Sequence, residues 1–351
     1  MKVCFFGFYR RNYSRNVVIK KGLLQNGIEV MECHTKKRGI MKFWDLFWKH
    51  RKIRNQYDYL FVPFGGYTLV WFARLLSFRP VVFDVFVSLY LTNIEDRKIA
   101  SPRSIKARYY SFLDWFSCWS AHKVLLDTNA QIEYFTKKYS LKPEKFVRIF
   151  VGSDNEVFYP LPHKDKRSSR FLIHWHGYLV PFYSVETIIA AAKLLESDPH
   201  IKIRMVTRFD RRLQRLRQAV AREGLKNIEF HNEVSASQLN LLINEADVTL
   251  GVFGNNRKTK LVIPNKIYEA AACGKPIITA RHPVVSEVFE EGRNILLVNP
   301  EDPEDLKEKI IKLKQDPDLK SLLEREVYSV YKNNLTPRLL GRTLINNVLG
   351  L

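Results

Sequence analysis

The chain has 351 residues, 46% hydrophobic and 26% charged, the composition of an ordinary globular protein, which excludes a disordered, collagenous or coiled-coil chain. At about 100 to 200 residues per domain, the length implies two domains, each able to bury a core of its own. Lys and Arg number 57 against 36 Asp and Glu, a formal charge of +21, and this favours a polyanionic or anionic-surface partner. The charge is uneven: residues 1–160 hold 27 basic and 13 acidic side chains, net +14, and residues 161–351 carry net +7. Cys4, Cys33, Cys118 and Cys273 stand far apart, without CxxC or Cys/His spacing, so the expectation is a reduced, cytosolic chain with neither a disulfide framework nor a zinc site. The N-terminal MKVCFFGFYRRNYS runs straight into Arg10 and Arg11 and lacks the pattern of a signal peptide. The stretch from Pro80 to Leu91 contains Asp84 and is shorter than the roughly 20 apolar residues that span a bilayer. No membrane crossing is expected.

In chain order, the first half alternates short apolar runs with helical patterns. KVCFFGF predicts a strand, Asn16 to Gln25 a helix and IEVMEC a strand; DYLFVPF, PVVFDVF and HKVLLDT follow as strands. Buried strands alternating with helices imply parallel pairing through right-handed crossovers, a Rossmann-like sheet. The pattern restarts after the polar, basic connector LPHKDKRSS. Strands are expected at RFLIHWH, IKIRMVT, NIEFHN, DVTLGVF, KPIITA and NILLVN. Helices are expected at Ser184 to Leu195, Arg211 to Glu223, around Leu239, Lys266 to Ala272 and around Glu287, then at 303–315 and 318–333. The domains therefore divide as 1–160, 161–335 and a tail, 336–351, that returns to the first domain. Ligands of open α/β sheets sit at the carboxyl ends of the strands, so two such sheets facing across a deep cleft would place the chemistry on loops after strands.

The richest segment is Val262 to Leu306. Pro264 at a helix start leaves backbone N–H groups free, and Lys266 adds a mobile cation there, a plausible diphosphate cradle. Glu269, one turn on, offers an acceptor-only carboxylate that suits a vicinal diol such as a ribose. The alternative is a solvated i,i+3 pair worth a few tenths of a kcal/mol, about 0.2–0.5. Gly177, directly after a strand, lets backbone approach phosphate. His174 and His176 share one face of that strand, without the further ligands a metal needs, and are assigned a structural or cleft-lining role.

Pro264, Lys266, Glu269, Ala270, Gly274, Lys275, Pro276, Ile278, Glu287 and the closing NILLVNPEDPEDL resemble the C-terminal signature of family 4 glycosyltransferases (glycosyl transferases group 1), which have the GT-B fold. The resemblance extends through ADVTLGVFG, NIEFHNEV and HWHGYLVPFYSVETIIAAAKLL, covering most of 170–310. It is looser across 1–160, where it rests on the glycine-bearing first loop, on Arg15-Asn16 to Leu23-Leu24 followed by Gly27, and on VGSDNEVFYP. It implies an α/β chain of two Rossmann-like domains and transfer of a sugar, with retention, from a UDP-sugar or GDP-sugar held mostly by the second domain. No cofactor or metal is required. Glu269 matches the second Glu of the family's Glu-x7-Glu motif, which holds the donor ribose; the first falls at Leu261. Where the family has an Arg and a Lys after the first strand of this domain, Tyr178 and Phe182 or Tyr183 stand instead. Lys266, Lys258, Lys260 and Arg208 are then the candidates for the phosphates. A related group that reads G-x-Y-x-P in this loop and PxK-x-YE later would account for both departures; this chain has Gly177-Tyr178 followed by Pro181 in the loop and PNKIYE at 264–269.

On the first domain Gly7 ends the first strand and allows close approach of donor or acceptor, with Arg10, Arg11 and Arg15 as candidate phosphate cations. The family often has a His near Asp84; Asp84 and Ser88 are the nearest polar residues, so acceptor activation falls to them, and Lys266 and Asp84 are the candidate catalytic residues. Residues 39–54 place Ile40, Phe43, Trp44, Phe47 and Trp48 at helical spacing beside Lys42, Lys49, Arg51, Lys52 and Arg54, and residues 104–119 repeat the theme. Such helices suit an anionic bilayer interface, the alternative being core packing. The expected partners are a nucleotide sugar, a lipid-linked or glycan acceptor and an anionic membrane, with the chain peripheral to the inner face of the plasma membrane. The rivals are a sugar-nucleotide epimerase, an inactive scaffold and a nucleic-acid binder, the last without any recognisable module.

Overall fold

The strands form where β-branched and aromatic residues are buried on both faces, as in VVFDVF, covered at all six positions. A computed structural model describes residues 1–162 and 170–350. Most of the connector 161–169 lies outside the described residues. Two compact units result: Met1–Asp154 with Leu335–Leu351, and Asn155–Asn334.

The first unit runs β1 (Lys2–Gly7), α1 (Ser14–Gln25), β2 (Glu29–His34), α2 (Met41–Ile53), β3 (Tyr59–Val62), α3 (Val70–Leu76), β4 (Val81–Phe86), α4 (Ile105–Ser120), β5 (Lys123–Leu126), α5 (Asn129–Tyr139) and β6 (Phe146–Arg148). Its parallel sheet has the order β2-β1-β3-β4-β5-β6. Thr128 and Ser104 cap α5 and α4 by accepting the N–H of Gln131 and Ala107.

The second unit runs β7 (Phe171–His176), α6 (Val185–Leu194), β8 (Ile201–Val206), α7 (Arg211–Arg222), β9 (Ile228–His231), α8 (Ala236–Glu245), β10 (Val248–Leu250), α9 (Asn265–Ala272), β11 (Ile277–Ala280), β12 (Leu296–Val298), α10 (Pro303–Gln315) and α11 (Pro317–Val330). The sheet order β12-β11-β10-β7-β8-β9 reverses direction between β7 and β10, and a crevice opens at such a switch point. The second unit begins before residue 160 because the chain there is stitched to α8: Asn240 accepts the Tyr159 N–H at 3.2 Å and Asn244 donates to the Tyr159 carbonyl at 3.0 Å. The helix expected around Glu287 is a 3-10 turn, Pro283–Glu287.

The last helix, α12 (Pro337–Leu344), belongs to the first unit and lies on α1. A Cβ on Gly341 would fall 2.2 Å from the Gly22 carbonyl oxygen, and one on Gly22 would fall 2.3 Å from that of Pro337. Only glycine at both crossings lets the two backbones touch.

Candidate functional site

The switch point of the second sheet gathers an unusual set of side chains. Gly177 follows β7 with φ +144, a conformation that L side chains rarely adopt, and a Cβ there would sit 3.1 Å from Lys266 Nζ. Lys266 lies in the first turn of α9, whose start is set by extended backbone at Pro264. Its ammonium lies 4.0 Å from the ring centroid of Trp175 and 3.8 Å from that of Tyr183. It is buried and has no hydrogen-bond acceptor among the described residues. Burial pushes its pKa well below the usual lysine value, with the Glu269 carboxylate opposing. Two aromatic faces stabilise a cation but accept no conventional hydrogen bond from it, so the hydrogen-bonding capacity of Lys266 is unmet among the described residues.

Glu269, also on α9 and buried, is not paired with Lys266 by a hydrogen bond. Its Oε2 accepts from His176 Nε2 at 2.8 Å, and His176 Nδ1 lies 3.1 Å from His174 Nε2. Behind them Arg204 on β8 places Nε 3.4 Å from His174 Nδ1 and pairs with Glu245 at 2.6 Å. The solvated i,i+3 pair is excluded by this burial. The expected structural role for His174 and His176 extends to holding Glu269.

The remaining candidates divide. Lys258 Nζ lies 4.9 Å from the Phe182 ring, in the Pro181–Tyr183 turn that also covers Lys266. That turn is locked to the loop after β10, since Phe253 N–H donates to the Tyr183 carbonyl at 3.2 Å and a Cβ on Gly254 would strike the Phe182 carbonyl at 2.7 Å. Arg208 and Lys260 are exposed, and no hydrogen bond or ring contact ties them to Lys266. Leu261 ends the turn before α9 and brings no charge. The Trp175 and Tyr183 box and the part of Arg204 were missed in sequence; the run HWHGYLVPFY carried the aromatic signal, but nothing local linked it to Lys266.

In the first unit Gly7 has φ +133, with Leu69 Cδ1 3.3 Å from where a Cβ would stand. Asp84 requires correction as a catalytic residue. It is fully buried, and Arg15 holds both its oxygens, with Nε at 2.9 Å from each and Nη2 at 2.8 Å from Oδ1. Arg15 Nη1 also donates to the Ile149 carbonyl at 2.9 Å. A carboxylate so enclosed has no path to an acceptor hydroxyl. Arg15, buried and committed to the same contacts, leaves the phosphate candidates. Ser88 is likewise spent, donating at 2.6 Å to the buried Asp114, whose pKa burial raises to about 6.

Of the four rings assigned to a membrane, Phe43 packs instead beside the core and against Trp71 and Phe72, because α2 turns that face inward. Trp44 and Trp48 are 58% and 51% exposed. Ile40, Phe43, Trp44, Phe47, Trp71 and Phe72 line a groove of about 490 Å³. Lys49 pairs with Asp45 at 2.7 Å, Arg51 stacks on Trp48 at 5.7 Å, and Lys52 is exposed. α3 packs on both α2 and α4, and Leu75, Phe78, Phe112 and Trp119 in this part of the unit are also exposed. No helix among the described residues is long and apolar enough to cross a membrane.

Two Rossmann-like units, each built on a six-stranded parallel sheet, define the class: the chain has the GT-B fold of glycosyltransferases. Residues 170–316 match the family described as glycosyl transferases group 1, and these residues contain the whole Lys266 and Glu269 site. Over 185 residues the chain is 23% identical to the uncharacterized glycosyltransferase MJ1069 of Methanocaldococcus jannaschii, a match spanning 52% of this chain and 45% of that relative. The chain thus aligns with about half the length of that relative. Among solved structures it is similar to HepE of Anabaena in complex with UDP, at TM-score 0.76 and 16% identity over 100% of both chains. It is also similar to sucrose-phosphate synthase of Thermosynechococcus elongatus, at TM-score 0.75 and 14% identity over 99% and 98% of the two chains. A glycosyltransferase of Rickettsia africae follows at TM-score 0.70 and 14% identity, over 98% and 97%.

Proposed function

We propose that the protein transfers a sugar, with retention, from a nucleotide diphosphate sugar to a glycan or lipid-linked acceptor at the cytoplasmic face of the membrane, in surface polysaccharide or glycolipid synthesis. The observation that carries this reading is the buried Lys266 ammonium, without an acceptor among the described residues and beside the His176-held Glu269. An ammonium taken out of water and left unpaired destabilises the fold, a cost that a diphosphate would offset on binding. UDP is the first nucleotide to test, because HepE, the structural relative named above, was solved with UDP.

In this reading the bond from the anomeric carbon to the diphosphate breaks while the acceptor oxygen bonds to the same face of that carbon. The acceptor proton passes to the leaving phosphate, so no protein base is needed, in keeping with the buried state of Asp84 and Ser88. Lys266 stabilises the charge that grows on the diphosphate, and Lys258 adds a second cation at the same turn. Glu269 holds the ribose.

Membrane attachment is supported by the exposed rings of α2, α3 and α4 on the unit with the larger basic excess. The deciding experiment for the donor is thermal shift with UDP, GDP, ADP and their sugars, in chelator. A ligand that binds only the native state stabilises it by RT ln(1 + [L]/Kd). Stabilisation by a nucleotide diphosphate that survives EDTA is the expected result. Stabilisation by none, or binding and activity lost in EDTA and restored by Mn²⁺, overturns the reading. Interconversion of a nucleotide sugar without acceptor would instead identify an epimerase.

A further inference from the structure

The side chains behind Glu269 form a chain whose proton order is set from both ends. A guanidinium only donates, so the Arg204 Nε 3.4 Å from His174 Nδ1 makes that nitrogen an acceptor and leaves the His174 proton on Nε2. His174 Nε2 faces His176 Nδ1 at 3.1 Å, so His176 Nδ1 accepts and the His176 proton is on Nε2, 2.8 Å from Glu269 Oε2. A carboxylate only accepts, so the far end agrees. With the protons assigned from this network, every donor points from Arg204 toward Glu269. The surroundings favour a neutral His174: burial foremost, with the Arg204 guanidinium beside it, holds its pKa well below the usual value. Arg204 is itself anchored by Glu245 at 2.6 Å and by the Leu242 carbonyl. The order has a geometric product. Oε2 of Glu269 is pinned while Oε1 is left for a ligand.

We propose that Arg204, His174 and His176 are positioning residues for the nucleotide, a directional relay that presents Oε1 of Glu269 to the ribose hydroxyls. The relay rests on the reading of Glu269 as the ribose-binding carboxylate. A carboxylate held in one rotamer binds without first losing side-chain freedom, and the ordered donors keep it aligned. The four residues come from β7, β8 and α9, so the relay also ties the helix carrying Lys266 to the centre of the sheet.

The test combines UDP titration calorimetry, donor KM and kcat, and melting temperatures for wild type, Glu269→Ala, His176→Ala, His174→Leu and His174→Gln. Glutamine can accept from Arg204 and donate to His176; leucine can do neither. His176→Ala and His174→Leu are expected to weaken UDP binding and raise donor KM about tenfold, with kcat little changed, and His174→Gln to recover most of the loss. If Glu269→Ala weakens UDP binding while His176→Ala and His174→Leu bind as wild type, the relay is wrong and the ribose reading stands. If Glu269→Ala also binds as wild type, the ribose reading fails and takes the relay with it. Loss in His174→Leu without recovery in His174→Gln would mean packing rather than proton order, which overturns the proposal. Imidazole ¹⁵N spectra of the wild type decide independently of whether the variants fold: protons on Nε2 of both rings are expected, and a proton on Nδ1 of His174 refutes the relay.

Discussion

Arg15 in the first unit and Lys266 in the second are both buried cations, and their surroundings differ in one respect. Arg15 has the Asp84 carboxylate and the Ile149 carbonyl within 2.9 Å. Lys266 has two aromatic faces and no hydrogen-bond acceptor among the described residues. A saturated buried charge holds a fold together; an unsaturated one destabilises the free protein and stabilises a complex. The contrast separates a paired buried charge from one left to aromatic faces more sharply than burial does, since both side chains are buried.

The comparison breaks most readily at Arg15. Arg15→Met leaves Asp84 buried without its partner and should cost about 3–5 kcal/mol, read by urea or thermal unfolding. A variant as stable as wild type would mean that the pair is not the anchor described. Next in size is turnover. Lys266→Ala should lower kcat by about 10² to 10³, more than it weakens ground-state binding, because charge on the diphosphate grows in the transition state. Equal effects on both would place Lys266 in ground-state recognition alone.

Glu269→Ala should weaken nucleotide binding by about 1.5–3 kcal/mol with the fold intact, measured by calorimetry. A smaller and opposite effect is expected from Lys266→Met in the free protein. The folded pKa of Lys266 lies below its unfolded value, so the unfolded state binds the proton more strongly, and this penalty on folding grows as pH falls from the normal lysine range toward the depressed folded value. Removing the amine should therefore raise the melting temperature by about 2–4 °C for each kcal/mol relieved, while stabilisation by UDP disappears. A lower melting temperature would show that the cation stabilises the apo fold.

The most modest effect concerns the aromatic surface. Trp44→Ser with Trp48→Ser should keep normal melting yet lose much of the sedimentation with anionic vesicles. Screening confines the basic charges to about 8 Å at physiological salt, and exposed rings supply roughly 25 cal/mol per Å² buried. Unfolding of the double variant would return those rings to the core, and unchanged vesicle binding would move the contact toward Phe112 and Trp119.

Much of the fold was legible because it is locally encoded. Apolar runs of strand length marked five of the six strands of the first sheet and all six of the second. β6 was missed: three residues, FVR, are too few to show a period. The helix expected around Glu287 shortened to a 3-10 turn that begins at Pro283. In the site, Lys266 and Glu269 were marked by their spacing on one helix, and Gly177 by its place after a strand. Asp84 was misread because a carboxylate ending an apolar strand shows that it needs a partner without showing whether that partner is a ligand or another side chain.

The amino-acid sequence by itself thus determined the alternation of strands and helices, the place of the switch-point glycine and the placing of a cation and a carboxylate one turn apart on α9. These depend on spacings of a few residues. The tertiary structure alone decided what each buried charge meets: Arg15 meets Asp84 across 69 residues of chain, Glu269 meets His176 across 93, and Lys266 meets the rings of Trp175 and Tyr183. The physical reason is that periodicity selects which face of an element is buried, whereas the partner waiting on that face is chosen by the order and register in which distant strands assemble.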